Sequence, residues 1–325
     1  MVIWTLGSSI NKGKMASMDD SSSVRTIERK KHSWLVWFVI RLVREKPLGT
    51  AGAVITLFLL LTGILANFLA PYGMNEVTGD ILAAPSAKYW LGTDNQGRDL
   101  LSRVIFGART SVIVGLAAST MATITSVIIG MISGYIGSKF DLIAQRFVDA
   151  VMCVPQLIVI MAVIALVGPG MWQVILVLGL LYGITGSRII RASVISIKSN
   201  MYVEAALAIG CSNSRIMIRH ILPNIMASTI ILFTTQVPGV ILTEASLSFL
   251  GFGIPPPAPS WGGMLSGNNR NYMFLAPWML IWPGFAISLV VYGINMFGDA
   301  VRDILDPRLR GGAGRYGSRV KKKPK

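Results

Sequence analysis

Few residues in this 325-residue chain are of the types that do chemistry, and they gather most densely in Ser199 to Asn224, SNMYVEAALAIGCSNSRIMIRHILPN. Glu204 and His220 supply the carboxylate and imidazole that general acid–base catalysis uses. They fall in different local helices, on either side of a turn at Gly210. Cys153 and Cys211 are too few and too far apart for a disulfide framework, and neither stands at ligand spacing from His32 or His220. The sequence contains no GxxxxGK[ST] phosphate loop, cofactor fingerprint or nucleophile–base pair. These side chains point to a surface offered to another molecule. A membrane-embedded enzyme or insertase working through Glu204 and His220 is the rival reading.

The local pattern supports the surface. Asn200 is a plausible N-cap, and Met201 to Ile209 are good helix formers. Gly210 fits the left-handed position that ends a helix sharply, and Ser212 can cap a second helix climbing into the next apolar run. Ala205 and Ala206 are expected to leave one face nearly flat, with Glu204 beside it as the segment's sole carboxylate.

The elements that hold this segment are set by composition. The chain is 53% hydrophobic and 14% charged, whereas an ordinary domain carries about a quarter charged residues. Six runs are long enough to cross a bilayer: Thr50–Ala70, Ser111–Ile136, Ala150–Val167, Met171–Ser187, Ile221–Thr243 and Pro277–Gly298. None contains Asp, Glu, Lys, Arg or His. One such charge at a span's centre costs about 2.5–3.5 kcal/mol. The expected fold is therefore all-α and polytopic, with a transmembrane domain at 50–298 between basic tails at 1–49 and 299–325. Glu244 is expected at or beyond the outer end of the fifth span.

The net charge of +15 has a membrane explanation rather than a nucleic-acid one. With the N-terminus inside, twenty-five of the 30 Lys and Arg residues fall on the cytoplasmic side. That asymmetry is the positive-inside pattern, and it puts both termini and the 188–220 loop in the cytoplasm. The first six residues are too short an apolar run for a signal peptide, and Met15 or Met18 are alternative starts. Trp34, Trp37 and Phe38 suit a surface helix at headgroup level.

Glu204-Ala205-Ala206, Gly210 and the terminal Leu222-Pro223 together resemble the EAA loop of bacterial ABC importer permeases. Two residues before the Leu-Pro pair stands His220, where the general pattern has isoleucine; this is the form of the peptide and nickel branch. Two outer segments resemble the oligopeptide and dipeptide permease family in particular. One is Trp90 to Asp99, WLGTDNQGRD, within the outer loop 71–109; the other is Gly251 to Gly263, GFGIPPPAPSWGG, within the outer loop 251–276. Asp306-Pro307-Arg308-Leu309-Arg310 resembles that family's C-terminal signature.

The resemblance covers roughly Trp90 to Arg310 and implies a type I ABC importer permease fold with six spans and a cytoplasmic coupling helix. It places Tyr202, Glu204, Ala205, Ala206, Gly210, Arg215 and Pro223 at an interface with an ATPase. It makes Gly92, Thr93, Asp94, Gly97, Arg98, Asp99, Pro257, Ser260, Trp261 and Gly262 the candidates for an outer surface met by a binding protein. The partners implied are a second permease subunit, two ABC ATPases and an extracytoplasmic substrate-binding protein. ATP is bound by those partners, and the chain itself needs no cofactor or metal. The location implied is a bacterial or archaeal plasma membrane, and the cargo di- or oligopeptides, with nickel and oligosaccharides as alternatives. With no ionisable group in the expected spans, the work of transport has to come from another subunit.

Local reasoning adds finer expectations. Thr93 and Gln96 can form a capping box, after which Leu100, Leu101, Val104, Ile105 and Ala108 mark one face of an amphipathic helix resting on the outer surface. Pro155 kinks or starts the third span, Lys139, Asp141, Arg146 and Asp149 are solvated or paired, and Pro223 serves packing. Ser119, Thr120, Thr123, Thr125 and Ser126 either pack helices together or line a path.

The topology makes an immediate prediction. In a Cys153→Ser background, a membrane-impermeant maleimide should modify Cys211 only from the inner side. Labelling from outside intact cells would invert the whole arrangement.

Overall fold

The computed structural model describes residues 34–305, and every regular element there is helical. Residues 1–33 and 306–325, the latter with the 306–310 signature, lie outside the described residues. Helix α1 (Trp34–Glu45) leads into α2 (Pro47–Ile64). After a long outer segment come α3 (Leu100–Ile136), α4 (Ser138–Cys153), α5 (Gln156–Val167) and α6 (Met171–Lys198). The short α7 (Met201–Ala208) follows. A lead-in over 213–221, with π geometry at Ile216–Ile221, runs into α8 (Leu222–Phe249). The last element is α9 (Trp278–Leu305). Among the described residues, five stretches are long and apolar enough to cross a membrane: α2, α3, α6, Asn213–Phe249 and α9. The α4–α5 pair makes a sixth if counted as one broken span.

At that pair the chain breaks where Pro155 is expected to kink or start the third span. It bends by 91° around Val154 and Pro155. Proline has no N–H to continue α4, and the residue before it is driven to extended backbone, here ψ 136°. Asp141 and Asp149 of α4 pair with Arg191 and Arg188 of α6, so these loop charges are paired.

The helix bundle is centred on α3 and α6, whose seam is made of small residues. A Cβ built at Gly130 would lie 2.6 Å from the Ser187 carbonyl oxygen, and one at Gly183 would lie 2.5 Å from Thr125 Cβ. Ser126 Oγ donates across the same seam to the Gly183 carbonyl at 2.9 Å. Close backbone approach of this kind substitutes for the hydrophobic drive that lipid cannot supply. Thr123 and Ser126 are therefore packing residues; Thr120 is exposed. Helix α2 packs on α9 in the same way, through Gly52 against Gly293. Its other face, with Leu57, Phe58 and Leu61, is exposed as a lipid-facing surface would be.

Three expectations for the outer side give way. Residues 100–108 do not form a separate surface helix: they are the first turns of α3, which at 37 residues is about 55 Å long. Both of its faces are buried there, Leu100 and Ala108 on one and Ser102 and Arg103 on the other. The cap is Asp99, whose carboxylate accepts from the Ser102 amide at 2.8 Å, and not Thr93 with Gln96. Glu244 lies inside α8 with no exposure, because the helix runs on past Thr243 to Phe249. Pro223 also differs from expectation: it is exposed where the π turn at Ile216–Ile221 passes into α8.

The α3–α6 seam predicts asymmetric effects of added volume. Gly130→Leu should destabilise by about 1–3 kcal/mol, the usual range for overpacking. Gly284→Ala, where an added Cβ meets nothing within 4 Å, should leave the thermal midpoint unchanged. Equal loss in both variants would show that the seam is not the tight contact.

Candidate functional site

At the end of the bundle that the charge pattern assigns to the inner side, α7 is a closed unit of eight residues. Gly210 takes φ +82°. Its amide donates to the Leu207 carbonyl at 3.0 Å, and the Cys211 amide to the Ala206 carbonyl at 3.1 Å. This pair of bonds is a Schellman closure, which satisfies the last carbonyls and reverses the chain. Asn200 occupies the N-cap position without capping by its side chain, which donates instead to the Ile197 carbonyl.

One face of α7 is fixed and the other is free. Val203 and Ala206 are buried with Ile190 and Val194 of α6 and with Ile216, Ile221 and Ile225 of the following segment. Ala206 thus anchors the helix, and Ala205 alone contributes a flat surface outward. Around it Tyr202, Glu204 and Leu207 are exposed, and Met201 and Ile209 are each more than 80% exposed. Arg215 and Pro223 are exposed further along. No bond joins Glu204 to His220, so the acid–base pair of the enzyme reading is not assembled among the described residues.

The surroundings of α7 are cross-braced to α3. Tyr135 near the end of α3 donates from its hydroxyl to Asn213 Oδ1 at 2.8 Å, and Lys198 Nζ donates to the Tyr135 carbonyl at 2.6 Å. Arg191 holds Asp141 through two bonds, and Ser133 joins the same carboxylate. A bidentate guanidinium–carboxylate pair fixes orientation as well as distance.

At the opposite end, expected to be the outer one, the WLGTDNQGRD segment is a buried framework. Thr93 Oγ1 donates to the Asp80 carbonyl at 2.6 Å and accepts from the Ala83 amide at 2.7 Å. Asp94 accepts from the Gln96 and Arg98 amides and pairs with the Arg98 and Arg103 side chains. Gly92 and Gly97 have φ of +83° and +71°, and a Cβ at Gly92 would strike Trp278. Nearby on the surface, Asp80 is held below the usual carboxylate range by hydrogen bonds from Lys88 and Tyr89.

The proline-rich loop closes on this framework. The Trp261 indole donates to the Val104 carbonyl of α3 at 3.0 Å, Ser260 Oγ accepts from the Gly263 amide at 3.1 Å, and Gly262 sits against Ala245 of α8. Between loop and framework lies a cavity of about 320 Å³ bordered by Asn95, Gln96, Arg98, Arg103, Ser260 and Asn269. Sequence reasoning offered both segments as an outer surface; they border one cavity, and most of the named residues are buried. Pro257 is exposed and Arg98 partly so, whereas Gly92, Thr93, Asp94, Gly97, Asp99, Ser260, Trp261 and Gly262 are all buried.

Residues 126–311 match the family model described as binding-protein-dependent transport system inner membrane component. The chain is 37% identical over 269 residues to a dipeptide transport system permease protein DppC of Alkalihalophilus pseudofirmus, spanning 82% of this chain and 88% of that one. It is 36% identical over 270 residues to an oligopeptide transport system permease protein OppC of Bacillus subtilis, with the same shares covered. In structure it resembles a chain of the MetNI methionine ABC transporter in an inward-facing conformation. That match has a TM-score of 0.53 at 14% identity and covers 64% of this chain and 98% of the other. At that identity the likeness is one of fold.

The Gly210 turn generates its own test. No atom lies within 4 Å of a Cβ added there, so any effect of substitution is conformational. Gly210→Val should cost about 1–2 kcal/mol through the left-handed backbone and raise proteolysis around residue 210. Gly210→Asn, which tolerates that region, should cost less. Equal behaviour of Val and Asn would refute the argument.

Proposed function

This chain belongs to the family of binding-protein-dependent transport system inner membrane components, and we propose that it forms one half of the membrane pathway of an ATP-driven importer of di- or oligopeptides. The observation that carries this reading is the match, over most of its length, to permeases named for dipeptide and oligopeptide transport. The exposed face of α7 is consistent with it, because a short capped helix fixed on one side is a suitable mechanical connection.

In this mechanism two partner ATPases bind and hydrolyse ATP and grip α7 through Tyr202, Glu204, Ala205 and Arg215. The chain has no enzymatic activity of its own. Glu204 supplies charge-assisted hydrogen bonds to the partner, and Ala205 allows its backbone close. The anchors Val203 and Ala206 pass any displacement of α7 to α6 and to the start of α8. Movement of rigid packed elements then exposes the pathway alternately to each side. A second permease subunit completes the pathway, and an extracytoplasmic binding protein delivers cargo to the outer loops. Both termini face the cytoplasm of a bacterial or archaeal cell.

The test is reconstitution of the chain with partner subunits in liposomes, with ATP-dependent uptake of a labelled dipeptide as readout. The wild type should accumulate peptide and retain the ATPases on purification. Glu204→Lys should lower both by roughly tenfold, as expected for losing a charge-assisted contact of about 1.5–3 kcal/mol. Uptake of nickel or an oligosaccharide in place of peptide would reassign the cargo, and full uptake by the Lys variant would remove Glu204 from the contact.

A further inference from the structure

The mechanism above makes no use of Glu244, the sole carboxylate buried without exposure among the described residues. Ser248 Oγ donates to its Oε1 at 2.7 Å, Ser260 Oγ lies 3.3 Å from Ser248 Oγ, and Ser111 of α3 borders the carboxyl. Two atoms of this cluster have no hydrogen-bond partner: Glu244 Oε2 and Ser111 Oγ. The groups facing the carboxyl from α8, α3 and the outer loop are hydroxyls. Arg98 and Arg103, across the cavity that Ser248 and Ser260 also border, are engaged by Asp94.

We propose that Glu244 is held as a neutral carboxylic acid among hydroxyls, making it a proton-bearing latch that fastens the outer loop to α8. An ionised carboxylate with hydroxyl neighbours and no cation costs several kcal/mol when buried. A single O–H on Oε2 removes that charge and leaves Oε1 to accept from Ser248. From there the hydrogen bonds continue into the loop. Ser248 Oγ is 3.4 Å from the Ile254 amide, and Ser260 Oγ accepts from the Gly263 amide. Loss of the proton puts a bare charge against Ser111 and loosens the loop at its root. Glu244 acts through these serines and is a positioning residue.

The experiment is infrared difference spectroscopy of the full chain in lipid nanodiscs, wild type minus Glu244→Gln, at neutral pH. A carboxylic-acid C=O band that the Gln variant lacks is the expected result, and a carboxylate band in its place overturns the proposal. Hydrogen exchange at the Ile254 and Gly263 amides supplies the second readout. Glu244→Gln should stay within about twofold of wild type, while Glu244→Leu should lose at least tenfold, in line with a polar group left unsatisfied in the interior. A Gln variant that frees the loop as fully as Leu overturns the latch. Should the Gln variant fail to assemble, wild-type protein carrying ¹³C-labelled glutamate gives the same reading. An acid band that disappears on alkaline titration supports the latch, and its absence at neutral pH sinks it.

Discussion

Everything else in the molecule depends on how closely α3 and α6 approach. A glycine at 130 and another at 183 leave no room for a side chain between the helices, and Ser126 bonds across the gap they create. In lipid there is no hydrophobic gain from pressing two apolar helices together, so contact of this quality has to come from shape and hydrogen bonds. With α6 held against it, α3 is a single rod long enough to reach beyond both edges of the hydrocarbon. Its outer end carries Asp99, Arg103 and the Val104 carbonyl; its inner end carries Ser133 and Tyr135. One helix therefore organises both candidate surfaces.

The two surfaces are built on opposite physical plans. The inner one offers apolar and charged side chains to the outside and hides a small anchor, Val203 with Ala206. The outer one hides its charges and offers prolines. Two arginines share Asp94 in a nearly closed space, and this arrangement holds because the carboxylate also accepts two backbone amides. An unpaired buried guanidinium would be far more costly than any loop rearrangement. The result is a stiff outer rim around a cavity.

Much of this was legible in the residues. The uncharged runs locate the spanning helices, because a single charge is expensive enough for its absence to carry information. Gly210 is legible because few other residues adopt φ +82° without strain. The places where the sequence misled have physical causes as well. Neighbouring residues on a helix point about 100° apart, so Ala205 and Ala206 cannot share one flat face, and one had to turn inward. The burial of Arg103 and Ser102 depends on Met74 and Tyr72, some thirty residues earlier, and no local pattern announces that. Glu244 was placed outside because the apolar run stops at Thr243, yet the helix continues to Phe249 with Ala245, Leu247 and Ser248 buried. Pro155 signalled a break, but its size follows from the Asp141–Arg191 and Asp149–Arg188 pairs that hold α4 against α6.

Helix α8 completes the connection that α3 begins. Its lead-in, Ile216–Ile221, is wound as a π turn, a wider geometry found mainly where a helix accommodates a local demand. Ile216 and Ile221 are fully buried in the cluster that anchors α7, while His220 and Arg219 project toward the surface. At its other end α8 presents Ala245 and Ser248 to the loop that closes the outer cavity. Both α3 and α8 thus touch the inner segment at one end and the outer loop at the other. In the proposed importer, a tilt imposed on α7 is felt at the outer rim through two rigid helices. No chain of side-chain rearrangements is required, and coupling of that kind needs only packed elements with two arrangements.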